Sequence, residues 1–345
     1  MAAKSSQRLD VPTRIETTTL DVSGSRCSHP SNARRKKSTV CCTYAWGEPS
    51  SPQKALALHG YLDNTGSFDL MGPALAKEGF ELVAMDLPGH GRSAHMSKDA
   101  WYSMLEYPEY VVEAARSLGW DKFSLVGHSM GGAVASLVAA SFPEMVERCV
   151  FLDILGPFAL SPGTSPKRLR ASVASRRTLL SKEPKPYASF DEAVRTRLKS
   201  VTMWGAEGQT MSWAGAVRLV AGGTEPWGDE GQVKFTNDVR LRASSSSYLT
   251  EEAVLTYLRA IKSDCLLIRG DTGMLANADD SPEFVARKEA FGQDGRLRDL
   301  ILPGSHHLHL DEDTAPLVAS RTADFLHGRE RDHAGGASCR NDSKL

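Results

Sequence analysis

The chain has 345 residues, with 41 Lys and Arg against 42 Asp and Glu for a formal net charge of −1. At 41% hydrophobic and 24% charged it has the composition of a globular protein with a sizeable core, and it contains no apolar run near the roughly 18 residues that span a membrane. Such an even balance excludes a chain-wide field that draws nucleic acid or anionic lipid, so charge-guided binding must come from a local patch.

Residues 1–12 read as a flexible N-terminus without the apolar core of a secretion signal. The six cysteines show no CxxC spacing, so neither a disulfide framework nor a zinc site is expected. Two β-rich stretches, 13–22 and 39–46, read as a hairpin with a long polar loop, and its run Arg34-Arg35-Lys36-Lys37 reads as a solvated loop tip. From residue 55 onward, short apolar runs alternate with helical stretches: ALAL (55–58), ELVAM (81–85), KFSLV (122–126) and CVFLD (149–153). Runs of this length bounded by Gly, Pro and Asp predict buried parallel strands with crossover helices, an α/β doubly wound sheet. About a hundred residues follow with helical periodicity and no convincing strand, after which DCLLIR (264–269) and LRDLIL (297–302) resume the sheet. A final helix is expected from about Thr314 to Leu326.

The sharpest motif is Gly127-His128-Ser129-Met130-Gly131-Gly132, between an apolar run and a helix-compatible stretch. Strand, G-x-S-x-G, helix is the context of a nucleophile elbow, in which the serine sits on a strained turn and the next amide opens a helix. Ser129 is thus the candidate nucleophile and Met130 N–H one candidate oxyanion donor. His59-Gly60-Tyr61 follows the run ALAL, and its Tyr61 amide is the second candidate donor. Asp86-Leu87-Pro88-Gly89-His90-Gly91-Arg92-Ser93 reads as scaffold. Histidines crowd one late loop, LPGSHHLHLDED. Its His307-x-His309-x-Asp311 matches the start of a binuclear zinc pattern, but Glu312 breaks it, so no metal and no cofactor is expected.

In this order, HGYLDN, DLPGHGRS, GHSMGG, FLDILGP, FTNDVRLR and LLIRGD resemble the α/β-hydrolase superfamily and, within it, the serine hydrolase-like proteins. The resemblance implies an α/β-hydrolase fold: a mostly parallel sheet with a helical cap inserted between sheet strands. Its core covers 13–156 and 263–328 and its cap 157–262, with a flexible tail over 329–345. It also implies a triad in the order Ser, acid, His. The family's usual His spacing favours His306 as base, with His307 as the alternative. The commonest acid position lies after LLIRG and favours Asp271, although the usual spacing falls on Gly273; Asp153 and Asp280 are the alternatives.

Within residues 161–200 there are ten Lys and Arg against three acids, Glu183, Asp191 and Glu192. The cap's apolar positions, Leu179, Leu180, Val201, Met203, Trp204, Trp213, Val217 and Leu219, are candidates for an acyl pocket beneath a cationic rim. The expected activity is hydrolysis of a carboxylic ester or thioester through an acyl-serine, of which a peroxisomal acyl-CoA or a lipid-derived ester is one instance. A hydrolase of carbon–carbon bonds and a non-catalytic ligand binder are the alternatives. Ser343, Lys344 and Leu345 form the tripeptide read by the peroxisomal import receptor, the one protein partner expected.

Overall fold

The computed structural model describes residues 15–21, 40–180, 182, 184–201, 209–228, 230–292 and 295–329. The Arg34 to Lys37 run, the cap residues Met203 and Trp204, the N-terminal segment 1–12 and the tripeptide Ser343 to Leu345 lie outside them.

The strands are β1 (Ile15–Asp21), β2 (Val40–Trp46), β3 (Gln53–Leu58), β4 (Phe80–Met85), β5 (Phe123–His128), β6 (Val146–Leu152), β7 (Thr224–Pro226), β8 (Val233–Phe235), β9 (Asp264–Gly270) and β10 (Leu297–Leu302). The helices are α1 (Met71–Lys77), α2 (Tyr107–Ser117), α3 (Met130–Ser141), α4 (Ser165–Leu180), α5 (Phe190–Val201), α6 (Trp213–Gly223), α7 (Glu251–Ala260), α8 (Pro282–Glu289) and α9 (Ala315–Leu326). Eight strands form one sheet in the order β1-β2-β4-β3-β5-β6-β9-β10. From β4 to β10 every neighbouring pair is parallel, while β1 and β2 pair antiparallel at one edge. All six parallel strands therefore deliver their following loops to the same sheet edge. The chain steps from β3 to β4 on one side and to β5 on the other, so the direction of winding switches there, where open α/β sheets form their ligand crevice.

The strands at that switch are buried on both faces, which is why they read as continuous apolar runs instead of alternating ones. Two cores flank the sheet. One joins Val111 and Val112 of α2, Val134 and Val138 of α3, Val254 and Leu258 of α7 and Phe284 of α8. The other joins Met71 and Leu75 of α1 with Val318 and Phe325 of α9. Helix α3 is apolar nearly all round and buried along most of its length, as a helix must be that packs both on the sheet and beneath other helices.

Between β6 and β9 the chain builds α4 to α7. Here the structure adds what periodicity did not show, an antiparallel pair β7–β8 with register Glu225 to Lys234. Strands of three residues are too short to leave an alternating pattern. A small separate core ties this segment to the late histidine loop: Ala193 and Val194 of α5 and Ala216, Leu219 and Val220 of α6 pack with Leu310.

Candidate active site

Ser129 adopts φ 49° and ψ −120°, a region that ordinary side chains avoid, directly between the last residue of β5 and the first of α3. Anchors on both sides hold this strain. Ser129 N donates to Leu152 O at 3.2 Å, and Ser129 O accepts from Gly132 N and Ala133 N at 2.9 and 3.0 Å. The turn also needs bare backbone around it, because a Cβ on Gly131 would run into Leu58 O and stand 2.7 Å from His59 O. That close approach brings the first turn of α3 against the loop after β3. Met130, the first residue of α3, presents one of the amides that a helix N-terminus leaves without an intrahelical partner. Tyr61 lies in the adjoining loop, its hydroxyl donating to Leu241 O at 3.0 Å, and burial pushes that phenol up to about 12.

The late loop brings His306 to the same place. Its carbonyl accepts from His128 Nε2 at 2.9 Å, and the two rings lie 4.6 Å apart, so the base candidate is tied to the residue preceding Ser129. The ring's Nδ1 donates to Asp153 Oδ2 at 2.7 Å. Because a carboxylate only accepts, this bond fixes the tautomer and leaves Nε2 as the free lone pair that a general base requires.

The carboxylate against His306 belongs to Asp153 and not to Asp271, which corrects the acid expected from the sequence. Asp153 follows β6, is fully buried at φ 52°, and also accepts from the amides of Met274, Gly270 and Leu275 at 2.6, 3.3 and 3.4 Å. Asp271 is exposed and instead accepts from Gly304 N at 2.9 Å, joining the β9 and β10 loops. Asp280 closes a short exposed 3-10 turn before α8. The reason is steric. A Cβ on Gly273, the position where the usual spacing falls, would stand 2.5 and 2.6 Å from the two Asp153 oxygens. A side chain there and the Asp153 carboxylate cannot share that space, so one loop supplies the carboxylate that meets His306 and the other has to be bare.

His307 turns the other way, its Nε2 facing Asp63 Oδ2 at 3.6 Å, while His128 Nδ1 faces the same oxygen at 3.8 Å. Arg197, from cap helix α5, pairs with the other Asp63 oxygen. Burial alone would raise the Asp63 carboxyl, but the Arg197 guanidinium, with His307 facing the second oxygen, outweighs it and holds the group well below the usual carboxylate range. Burial pushes the His128, His307 and His309 imidazoles down, the first and last well below their ordinary value, so these rings are neutral. Asp63, His128 and His307 have the spacing of a metal triad, but Arg197 already neutralises the carboxylate, and an added divalent cation would meet its half-buried guanidinium.

Three further residues position the site. Gln209, almost fully buried, accepts from His306 N at 3.0 Å and donates to Thr272 O at 2.9 Å, bridging the base loop to the β9 loop. Ser212 N donates to Asp311 Oδ1 at 2.9 Å, so the start of α6 grips the same loop. Asp86 accepts from Thr65 N and Arg92 N at 2.7 and 2.8 Å and holds the two glycine-rich turns together. Nothing in the sequence marks Gln209, and Asp63 is visible only as one acid beside HGYL.

Residues 56–313 match the model of the alpha/beta hydrolase fold family. The chain is an α/β-hydrolase of the serine hydrolase-like group. It is 34% identical over 282 residues to a serine hydrolase-like protein of Dictyostelium discoideum, covering 79% of this chain and 74% of that one. It superposes on a hypothetical protein from Pseudomonas aeruginosa PAO1 with a TM-score of 0.76 at 31% identity, over 91% of this chain and all of the other. A mouse sn-1-specific diacylglycerol lipase matches at 29% over 58% of this chain and 61% of its own length. The α/β-hydrolase assignment accounts for the mostly parallel sheet, its flanking helices and the elbow at the switch point.

Proposed function

We propose that this α/β-hydrolase cleaves a carboxylic ester or thioester through an acyl-Ser129 intermediate. The observation that carries the proposal is the bond from His306 Nδ1 to a fully buried Asp153, in a loop anchored beside a serine held at φ 49°. In the first step Ser129 Oγ attacks the carbonyl carbon while His306 Nε2 takes its proton. The carbonyl oxygen becomes an oxyanion facing the Met130 and Tyr61 amides, each such donor being worth roughly 3 kcal/mol. His306 then returns the proton to the leaving alcohol or thiol as the C–O or C–S bond breaks. Water, deprotonated by the same imidazole, removes the acyl group and regenerates the serine. Asp153 orients the ring and stabilises the imidazolium.

A lipid-derived ester or an acyl-CoA suits the cationic cap, and the similarity to a diacylglycerol lipase supports an acyl substrate. A panel of p-nitrophenyl esters, acylglycerols and acyl-CoA thioesters, with Ser129→Ala as control, tests the activity. Turnover that depends on Ser129 supports it; no turnover of any ester or thioester by folded protein favours the ligand-binding alternative. Import into peroxisomes through Ser343, Lys344 and Leu345 is part of the same proposal. It is tested by imaging an N-terminally tagged chain with and without those three residues, and a punctate pattern that survives their removal contradicts it.

A further inference from the structure

Helix α4 leaves two of its large apolar side chains, Leu169 and Val173, in solvent. Its sequence, SPKRLRASVASRRTLL, carries five Lys and Arg and no acid. Polar groups carry much of the face against the body, beside the half-buried Leu179: Ser172 is buried, and Arg168 and Arg176, two turns apart, lie over the rings of Tyr248 and Trp101 at 5.6 and 4.7 Å. Arg168 also donates to Ser161 O at 3.0 Å and Arg176 to Ser246 Oγ at 3.4 Å. These contacts fix the rotation of the helix about its axis. The face left in solvent presents Leu169 at 56% and Val173 at 45% exposure, one turn apart, the reverse of an ordinary surface helix. Just ahead of α4 in the chain, Phe158 is 55% and Leu160 39% exposed, the Leu160 N–H donating a hydrogen bond to Leu249 O at 3.0 Å. Lys167, Arg170 and Arg177 of the same helix are also exposed.

We propose that this face of the cap docks on an anionic lipid bilayer. Leu169, Val173 and Phe158 enter the boundary of the acyl layer, and Lys167, Arg170 and Arg177 meet acidic headgroups. The charge pattern selects this occupant over a second copy of the chain, because two-fold pairing of the patch would set the cations of two α4 helices against each other. An exposed helix ridge has no groove to read a particular peptide, whereas a fluid bilayer requires none. Phe158 follows Asp153 in the segment that leaves β6 for the cap, so the docked face belongs to the chain segment that continues from the Asp153 loop. That the docked face receives lipid-borne esters rests on the proposed hydrolysis; the docking does not.

The full chain is floated with vesicles of phosphatidylcholine alone and with vesicles containing about one third phosphatidylserine. Recovery with the anionic vesicles only, weakened by salt, is expected. Leu169→Asp with Val173→Asp should lower the partition at least about tenfold, and Lys167→Glu or Arg170→Glu roughly fivefold each. An unchanged circular dichroism spectrum and thermal midpoint show that each variant is folded. Equal recovery with both vesicle types, recovery with neither, retention of the Leu169/Val173 variant on anionic vesicles, or a solution dimer dissolved by the same substitutions would each overturn the proposal.

Discussion

Asp153 and Gly273 form a complementary pair: one carries the carboxylate, and the other leaves room for it. Replacing Asp153 by Asn keeps the shape but offers the ring a partner that no longer fixes the productive tautomer, so kcat should fall on the order of 10³- to 10⁴-fold. Asp271→Asn, at an exposed carboxylate that accepts from Gly304 N, should change kcat less than about tenfold. Comparable losses from both substitutions would contradict the assignment. Gly273→Ala, which crowds the same carboxylate, should lower kcat with little change in KM. At this scale the sequence was legible where covalent geometry dictates residue type. The elbow needs a glycine, Gly131, against Leu58 O and a serine at positive φ, and that leaves a readable motif. The acid was not legible, because Asp153 and Asp271 follow strands that are neighbours only in the folded sheet. Which of them reaches His306 depends on how two loops share one volume.

Among elements, α5 and the loop after β3 are locked by the Arg197–Asp63 pair, with side-chain exposures of 13% and 1%. Arg197→Leu strands a carboxylate in a dry site and should cost about 3–5 kcal/mol, read as a lower urea midpoint. Arg197→Leu combined with Asp63→Asn should cost less than Arg197→Leu alone, since no buried charge is then left unpaired. A double variant that is additive would show that the pair is not coupled. The parallel strands were readable as buried apolar runs alternating with helices, but the order in which they pair, β1-β2-β4-β3-β5-β6-β9-β10, comes from the structure. The cap was readable only as helical. The β7–β8 pair is too short, and the grip of Gln209 and Ser212 on the base loop uses side chains that look like ordinary polar residues in the sequence.

For the molecule as a whole, acid should be more damaging than base. His90, pushed by burial down to about 3, and His128, His307 and His309, lowered by burial first, stay neutral when folded. Below about pH 6.5 the unfolded chain binds protons on these rings that the folded chain refuses. Stability is therefore full above that value and falls as pH drops, by up to about 1.4 kcal/mol per pH unit for each ring. Asp63 adds a later loss of the same sign, below the usual carboxylate range, as its depressed carboxyl is finally protonated. The thermal midpoint should decline between about pH 7 and 5, and a flat profile there would contradict the buried, neutral assignment. The central claim, that Ser129 is activated by His306 at the elbow, is tested most directly by treating the full chain with a fluorophosphonate and locating the adduct by peptide mass spectrometry. A single adduct on Ser129, lost in His306→Ala, is the expected result; folded protein that stays unmodified, or an adduct on another residue, would contradict it.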